Sequence, residues 1–251
     1  AGLEKGDRVA VWLPNGPDWM AMVLACSRLG VCLVSLNIKW GPKEVGDLLV
    51  RTASKAIVVS LRFRSGACIG ALRTAYEAGG TSLKLVITDS ASMEPVLADV
   101  GQTDLVTLAR DSGDWIADDD PSSDALILAT SGTTSQPKLV VHTQDSLTRH
   151  AADVAGLVRI GKSGCMLLAV PVCGAYGYTS LICALYAGAR IVMMEAFDPV
   201  GAAQLMREFQ VTHLLGTNDM LDKLLDVVPE PHPFPNLQLF GYAAFVPALD
   251  D

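Results

Sequence analysis

The chain has 251 residues, of which half are hydrophobic and 18% are charged, so it can form one large domain or two small ones with a substantial core. Its 19 basic and 27 acidic residues give a formal net charge of −8, which argues against binding to nucleic acid or to an anionic membrane, because both need clustered positive charge. No secretory signal is visible, and the longest apolar stretch, residues 20–36, contains Arg28 and Gly30 and is too short to span a bilayer.

The first third of the chain alternates short apolar strands with helices. Strands are predicted at residues 8–13, 31–36, 55–59 and 83–88, and helices at residues 19–29, 43–50 and 67–78. Asp18 is expected to cap the first helix and Gly30 to end it. Strands that alternate with helices in this way are typical of parallel β-α-β units.

A looser region follows, and its acidic run at residues 118–120 is interpreted as a solvated connection. Beyond it, the alternation resumes. Strands are predicted at residues 125–129, 139–141, 165–170, 190–194, 213–215 and 237–240, and helices at residues 145–158, 178–187, 199–209 and 220–227, the first of them capped by Asp145 or Ser146. The fold class predicted for the whole chain is therefore α/β, with doubly wound parallel sheets and helices on both faces.

The six cysteines and four histidines show no pattern typical of a metal site, since there is no Cys-x-x-Cys pair and the histidines lack ligand spacing. Most of the cysteines lie in apolar runs, so we interpret them as buried free thiols. A reduced, cytoplasmic setting fits such thiols best.

The loop between the predicted strands at 125–129 and 139–141 has the most distinctive composition. Four hydroxyl side chains flank Gly132, and Lys138 follows six residues after that glycine. A glycine lets the backbone come close to a ligand, successive backbone N–H groups can form a concave anion site, and a lysine adds a mobile point charge suited to phosphate oxygens.

This loop is not a Walker A motif, because Pro137 precedes the lysine and Leu139 follows it. On composition alone, an ordinary hairpin rich in serine, threonine and glycine is as good an interpretation as a phosphate-binding loop.

The segment from Thr130 to Leu139 resembles the phosphate loop of the adenylate-forming superfamily, which includes acyl-CoA synthetases, luciferases and peptide-synthetase adenylation domains. The family pattern is T-S-G-T-T-G-x-P-K-G, and the chain departs from it at Ser135 and Leu139, where the family has glycine. The histidine that follows, His142, is expected to brace the loop. The resemblance implies that the β- and γ-phosphates of ATP are held by Thr130, Ser131, Gly132, Thr133, Thr134 and Lys138.

The resemblance extends over essentially the whole chain. Residues 2–15 are similar to the family segment G-L-x-x-G-D-R-V-A…L-P-N, and Asn37 in the strand that follows suits acyl-CoA synthetases better than peptide-synthetase domains. Residues 171–177 stand where the family has P-L-F-H-x-x-G, and residues 241–247 lie near its G-G-A-P segment. The acyl pocket implied by this likeness contains Gly174, Tyr176, Tyr242, Ala243 and Ala244.

Two of these pocket residues need comment. Gly174 takes the place of the histidine that gates the acyl pocket in the family, which hints at room for a bulky substrate. For Tyr176, a plain core aromatic side chain is a slightly better interpretation than a substrate contact.

The resemblance implies an acyl-CoA synthetase, in which a small-molecule carboxylic acid attacks the α-phosphate of ATP, pyrophosphate leaves, and CoA takes the acyl group. ATP, Mg²⁺ and CoA are the expected co-substrates, although no catalytic residue and no metal ligand is identifiable. Residues 1–251 are expected to form an incomplete N-terminal large domain, without the C-terminal small domain. A homodimer or a companion half-chain is expected to cover the apolar surface of such a halved sheet.

Two alternatives stay open. The departures at Ser135, Leu139 and Gly174 are also consistent with a family member that adenylates poorly and mainly transfers a preformed acyl-adenylate to CoA. Alternatively, the isolated chain is a non-catalytic binding module. We expect the isolated chain to be inactive in either case, because the ribose-binding aspartate and the catalytic lysine of the family lie later in its pattern.

Overall fold

The computed structural model describes residues 2–110, 117–118, 120–130 and 137–243, with the backbone alone at residues 64 and 65. The chain divides into two compact units, residues 1–147 and residues 148–251.

The first unit is built on a seven-stranded sheet with the strand order β5-β4-β3-β1-β2-β6-β7. Its strands are β1 (Arg8–Trp12), β2 (Cys32–Ser35), β3 (Ala56–Val59), β4 (Leu85–Thr88), β5 (Gly101–Asp104), β6 (Asp124–Thr130) and β7 (Lys138–Thr143). Its helices are α1 (Pro17–Leu29), α2 (Pro42–Arg51), α3 (Ala67–Glu77) and α4 (Leu105–Arg110), with a 3₁₀ turn at Phe63–Gly66. All neighbouring strands run parallel except β6 and β7, which pair antiparallel.

The core of the first unit lies between the sheet and helices α2 and α3. All four residues of β3 are buried, which is typical of a parallel strand covered on both faces. Trp12, Leu48 and Leu72 are among the side chains of this core that are fully buried. Each such side chain contributes roughly 1.5–3 kcal/mol relative to an exposed position, which is why apolar runs specify these elements.

The second unit contains a four-stranded parallel sheet with the order β11-β10-β8-β9. Its strands are β8 (Cys165–Leu168), β9 (Arg190–Met193), β10 (His213–Thr217) and β11 (Leu239–Ala243), and its helices are α6 (Ala175–Ala187), α7 (Pro199–Glu208) and α8 (Asn218–Asp226). The boundary between the units falls within helix α5 (Gln144–Val158).

Alternate residues of the second sheet enter two different cores. Leu167 and Leu214 pack with α7 and α8, whereas Met166 and Leu215 pack with α5 and α6. Helices therefore cover both faces of this sheet, and the predicted fold class is confirmed.

Most predicted elements are present to within a few residues, but β5 and α4 were not predicted. The β5 sequence is polar and its residues are half-buried or exposed, so it carries no apolar signal. The first helix begins at Pro17 with Gly16 as its N-cap, so the prediction that Asp18 caps it is wrong. Helix α5 begins at Gln144, and its first turn is capped by Thr143, whose Oγ1 accepts a hydrogen bond from the Ser146 N–H at 3.2 Å.

The interpretation of the acidic run as a solvated connection is wrong for Asp118. Its side chain is only 6% exposed and accepts a hydrogen bond from Lys5 Nζ at 2.7 Å. It packs against Gly30, where a Cβ atom would lie 2.7 Å from Asp118 Oδ2. Gly30 also ends α1 with a φ of +64°, so both its conformation and its neighbour require glycine. Asp120 also pairs with Lys5, and Asp119 lies outside the described residues.

All six cysteines are buried and free, which confirms their interpretation as buried thiols. Burial raises the pKa of Cys26 and of Cys32 to about 12 and that of Cys183 to about 11. These thiols are therefore poor nucleophiles at neutral pH, because the thiolate is the reactive form.

Candidate functional site

The two strands predicted on either side of the hydroxyl-rich loop form the antiparallel hairpin β6–β7. In its register, Thr130 pairs with Lys138 and Ala129 pairs with Leu139. The centre of β6 is buried, and the strand becomes exposed at Thr130. Of the loop itself, Ser131, Gly132, Thr133 and Thr134 lie outside the described residues, so the structure gives the two ends of the predicted phosphate loop.

Thr130 and Lys138 face each other across the mouth of the loop. Residues directly opposite on an antiparallel pair have Cβ atoms about 4.5–5.5 Å apart and project to the same face. Both residues are exposed. A hydroxyl and an ammonium group thus stand side by side, and both donate hydrogen bonds, which fits the oxygens of a polyphosphate.

Leu139 departs from the glycine of the family pattern, and the structure gives it a role in packing. Its side chain is partly buried against the core of the first unit, together with that of its partner Ala129. Because successive side chains of a strand point to opposite faces, Lys138 lies on the other face. On the face of Lys138, Val140 is 39% exposed, whereas its partner Leu128 on β6 is buried. His142 lies on the same strand opposite Leu126.

Residues 171–174 form a turn that leads from β8 into α6, and residues 175–177 begin that helix. Gly174 is the N-cap of α6, and its N–H donates to the Pro171 carbonyl at 3.1 Å. A Cβ atom on Gly177 would lie 2.1 Å from the same carbonyl oxygen, so helix α6 meets the turn where only glycine fits. Gly174 differs, because its φ of −99° suits any residue and a Cβ there would lie 3.6 Å from Pro171 O, an ordinary contact.

Tyr176 connects this turn with β11. Its hydroxyl donates a hydrogen bond to the carbonyl oxygen of Gly241 at 3.1 Å, and its half-buried ring packs against both cores of the second unit. Burial raises the pKa of the Tyr176 hydroxyl, which keeps it protonated and able to donate. The sequence contains no local signal for this contact, because the two residues are 65 positions apart.

The predicted acyl-pocket residues that the structure describes lie at one edge of the second sheet. The strands β8 and β11 run parallel in this sheet, so the turn after β8 and the end of β11 are both at its carboxyl edge. Tyr242 is 58% exposed there, with its ring centroid 6.5 Å from that of Phe240. Ala243 ends β11, and Ala244 lies outside the described residues.

The described ranges contain neither a candidate metal cluster nor a helix that could span a membrane. No group of three or more His, Cys, Asp or Glu side chains in them is arranged to hold a metal ion. None of the helices in them is both long enough and apolar enough to cross a bilayer.

The sequence matches the family model described as AMP-binding enzyme over residues 1–250. The chain belongs to the AMP-binding enzyme family. The β6–β7 hairpin lies at one end of the first sheet, and the sequence of its loop resembles the phosphate loop of this family.

Two relatives of the chain are named as CoA ligases. It is 27% identical over 210 residues to the long-chain-fatty-acid–CoA ligase FadD13 of Mycobacterium tuberculosis, covering 84% of this chain and 39% of that protein. It is 29% identical over 234 residues to the 3-[(3aS,4S,7aS)-7a-methyl-1,5-dioxo-octahydro-1H-inden-4-yl]propanoyl:CoA ligase of the same organism, covering 90% and 44%. The chain thus spans about two fifths of the length of these relatives.

A solved structure shows the same fold. The structure of ATP-bound MatB from Rhodopseudomonas palustris superposes with a TM-score of 0.75 at 22% identity, covering 95% of this chain and 45% of that one.

The two glycines of the turn predict opposite responses to substitution. Gly177→Ala gains up to about 1 kcal/mol of helix propensity, but the contact with the Pro171 carbonyl outweighs it, and we expect a net loss of about 2 kcal/mol or more in the free energy of unfolding. Gly174→Ser places a favoured N-cap residue in open space, and we expect a change within about 0.5 kcal/mol, or a small gain. Urea unfolding of both variants measures the difference, and equal losses would contradict the packing described for Gly177.

Proposed function

We propose that this chain is part of an acyl-CoA synthetase that converts a carboxylic acid and ATP into an acyl-adenylate and then transfers the acyl group to CoA. The observation that carries the proposal is the opposed pair of Thr130 and Lys138 at the mouth of the loop, in a chain of the AMP-binding family. Relatives named as CoA ligases support it. In the domain organisation that we propose, residues 1–251 belong to the large N-terminal domain of a longer enzyme.

In the proposed reaction, ATP supplies the phosphorus that the carboxylate attacks and the pyrophosphate that leaves. Lys138 neutralises charge on the β- and γ-phosphates, and the Thr130 hydroxyl donates to one of their oxygens. Two unit charges 4 Å apart interact by about 4 kcal/mol near a protein surface, so one lysine is a substantial part of the binding energy of a polyphosphate. Ser131, Gly132, Thr133 and Thr134 complete the proposed phosphate site. The described ranges contain no cluster of three or more His, Cys, Asp or Glu side chains that could hold Mg²⁺.

The proposed acyl pocket lies at the carboxyl edge of the second sheet and comprises Gly174, Tyr176, Tyr242, Ala243 and Ala244. The space above Gly174 is open, and neither backbone conformation nor packing requires a glycine there. We propose that this space admits an acyl group bulkier than a linear chain. The relative that acts on a bicyclic propanoyl substrate by its name supports a ring of that size.

A second candidate, transfer of a preformed acyl-adenylate without efficient adenylation, rests on three departures from the family pattern. One of them, Leu139, packs into the core on the face opposite Lys138 and so leaves the mouth of the loop unchanged. This observation favours full adenylation. Acid-dependent exchange of pyrophosphate into ATP separates the two candidates, because only a protein that adenylates supports the exchange.

The proposed enzyme is assigned to the cytoplasm, where ATP and CoA serve as co-substrates. Six buried cysteines without a disulfide fit a reducing compartment.

Replacing Lys138 tests the phosphate site. In the complete enzyme, Lys138→Ala removes a charge from the polyphosphate, and we expect the Kd for ATP to rise at least about tenfold, which corresponds to about 1.4 kcal/mol. The side chain is exposed, so the melting temperature should stay unchanged. Lys84→Ala is the matched control, because Lys84 is also exposed but precedes β4 at the amino edge of the same sheet. Equal ATP affinity in wild type and Lys138→Ala would contradict the proposal.

Filling the space above Gly174 tests the acyl pocket. We expect Gly174→His to raise the KM for acids with a ring body at least about fivefold more than the KM for short linear acids, because a side chain there occupies the proposed ring site. Steady-state kinetics with a matched series of acids measures the ratio. Identical effects on all acids would place the residue outside the pocket.

A further inference from the structure

The first turn of α6 is held rigidly in the second unit. The Gly177 Cα lies against the Pro171 carbonyl so closely that no side chain fits between them. The Tyr178 N–H donates to the Gly174 carbonyl at 2.8 Å, and Ser180 Oγ donates to the Tyr176 carbonyl at 2.8 Å. These contacts hold the backbone of the first turn of α6, including that of Tyr176, in place.

The strand that receives the Tyr176 hydroxyl is an edge strand. Among the described strands, β11 pairs with β10 alone, and its residues are half-buried or exposed, whereas the first four residues of β10 are buried. An edge strand with little burial opens locally at a low free-energy cost. A Cβ atom on Gly241 would lie 2.6 Å from Leu215 Cδ2, so this strand also fits closely against β10 at the point where Tyr176 reaches it.

We infer that Tyr176 is a positioning residue, whose hydroxyl anchors the end of β11 to the rigid first turn of α6. This inference rests on the proposed function, because the anchored end carries Tyr242 and Ala243 of the proposed acyl pocket. The Tyr176 hydroxyl donates its hydrogen bond to the Gly241 carbonyl oxygen, so the effect of Tyr176 on the substrate passes through β11.

The test removes the hydroxyl and keeps the ring. In the 251-residue chain, Tyr176→Phe should make the amides of β11 exchange with deuterium about fivefold faster, as expected for the loss of one hydrogen bond, while the amides of β8 keep their rates. Tyr186→Phe is the matched control, because Tyr186 lies on the same helix with its side chain 58% exposed, and it should leave every strand unchanged. Mass spectrometry of peptic peptides gives the rates strand by strand.

Unchanged exchange in β11, or equal acceleration in all four strands of the sheet, would overturn the anchor. In the complete enzyme, Tyr176→Phe should raise the KM for the acid about threefold or more with little change in kcat, and Tyr186→Phe should not. An unchanged KM together with faster exchange in β11 would overturn the positioning role. If the wild-type enzyme supports no pyrophosphate exchange at all, the proposed function fails, and the deuterium measurement still decides the anchor.

Discussion

The register of the β6–β7 hairpin is the constraint on which the candidate site depends. β6 is buried at its centre and pairs with β2 on one side, with Val34 opposite Ile127, so its position in the sheet is fixed by the core. Leu139 packs into that core from β7. A shift of one residue would exchange the faces of Leu139 and Lys138 and bring Lys138 to the position where Leu139 packs, because the side-chain period of a strand is two. Core packing therefore decides that a cation stands at the mouth of the loop.

In the second unit, a close contact between backbone atoms holds the candidate pocket residues in position. Its turn after β8 depends on Gly177, where helix and turn meet without space for a Cβ atom, and Tyr176 extends this rigidity to the end of β11. Gly174 shows that a glycine can also be free of any backbone requirement. The sequence alone does not distinguish the two glycines. The contacts around them do, because Gly177 is required by packing and Gly174 is not.

The elements that could be predicted are those whose own residues form an apolar pattern. Strands such as Ala56–Val59 are continuous apolar runs, so their existence and their parallel arrangement could be predicted, as could the hairpin around the loop. The strand β5 could not, because its polar residues join the sheet only through pairing with β4. Asp118 looked solvated because its neighbours are acidic, and its burial depends on Lys5, which lies 113 residues away. The same holds for the candidate site. Lys138 belongs to a local sequence motif and could be predicted, whereas the hydrogen bond between Tyr176 and Gly241 joins residues 65 positions apart and could not.

Binding of a polyphosphate at the mouth of the β6–β7 hairpin can be measured by NMR titration of the chain with inorganic pyrophosphate. We expect saturable shifts of the amide resonances of Thr130, Lys138 and Leu139, weakened by added salt, and much smaller shifts with equal concentrations of sulfate. Saturable shifts confined to other parts of the chain, or no shift at these three residues, would contradict it.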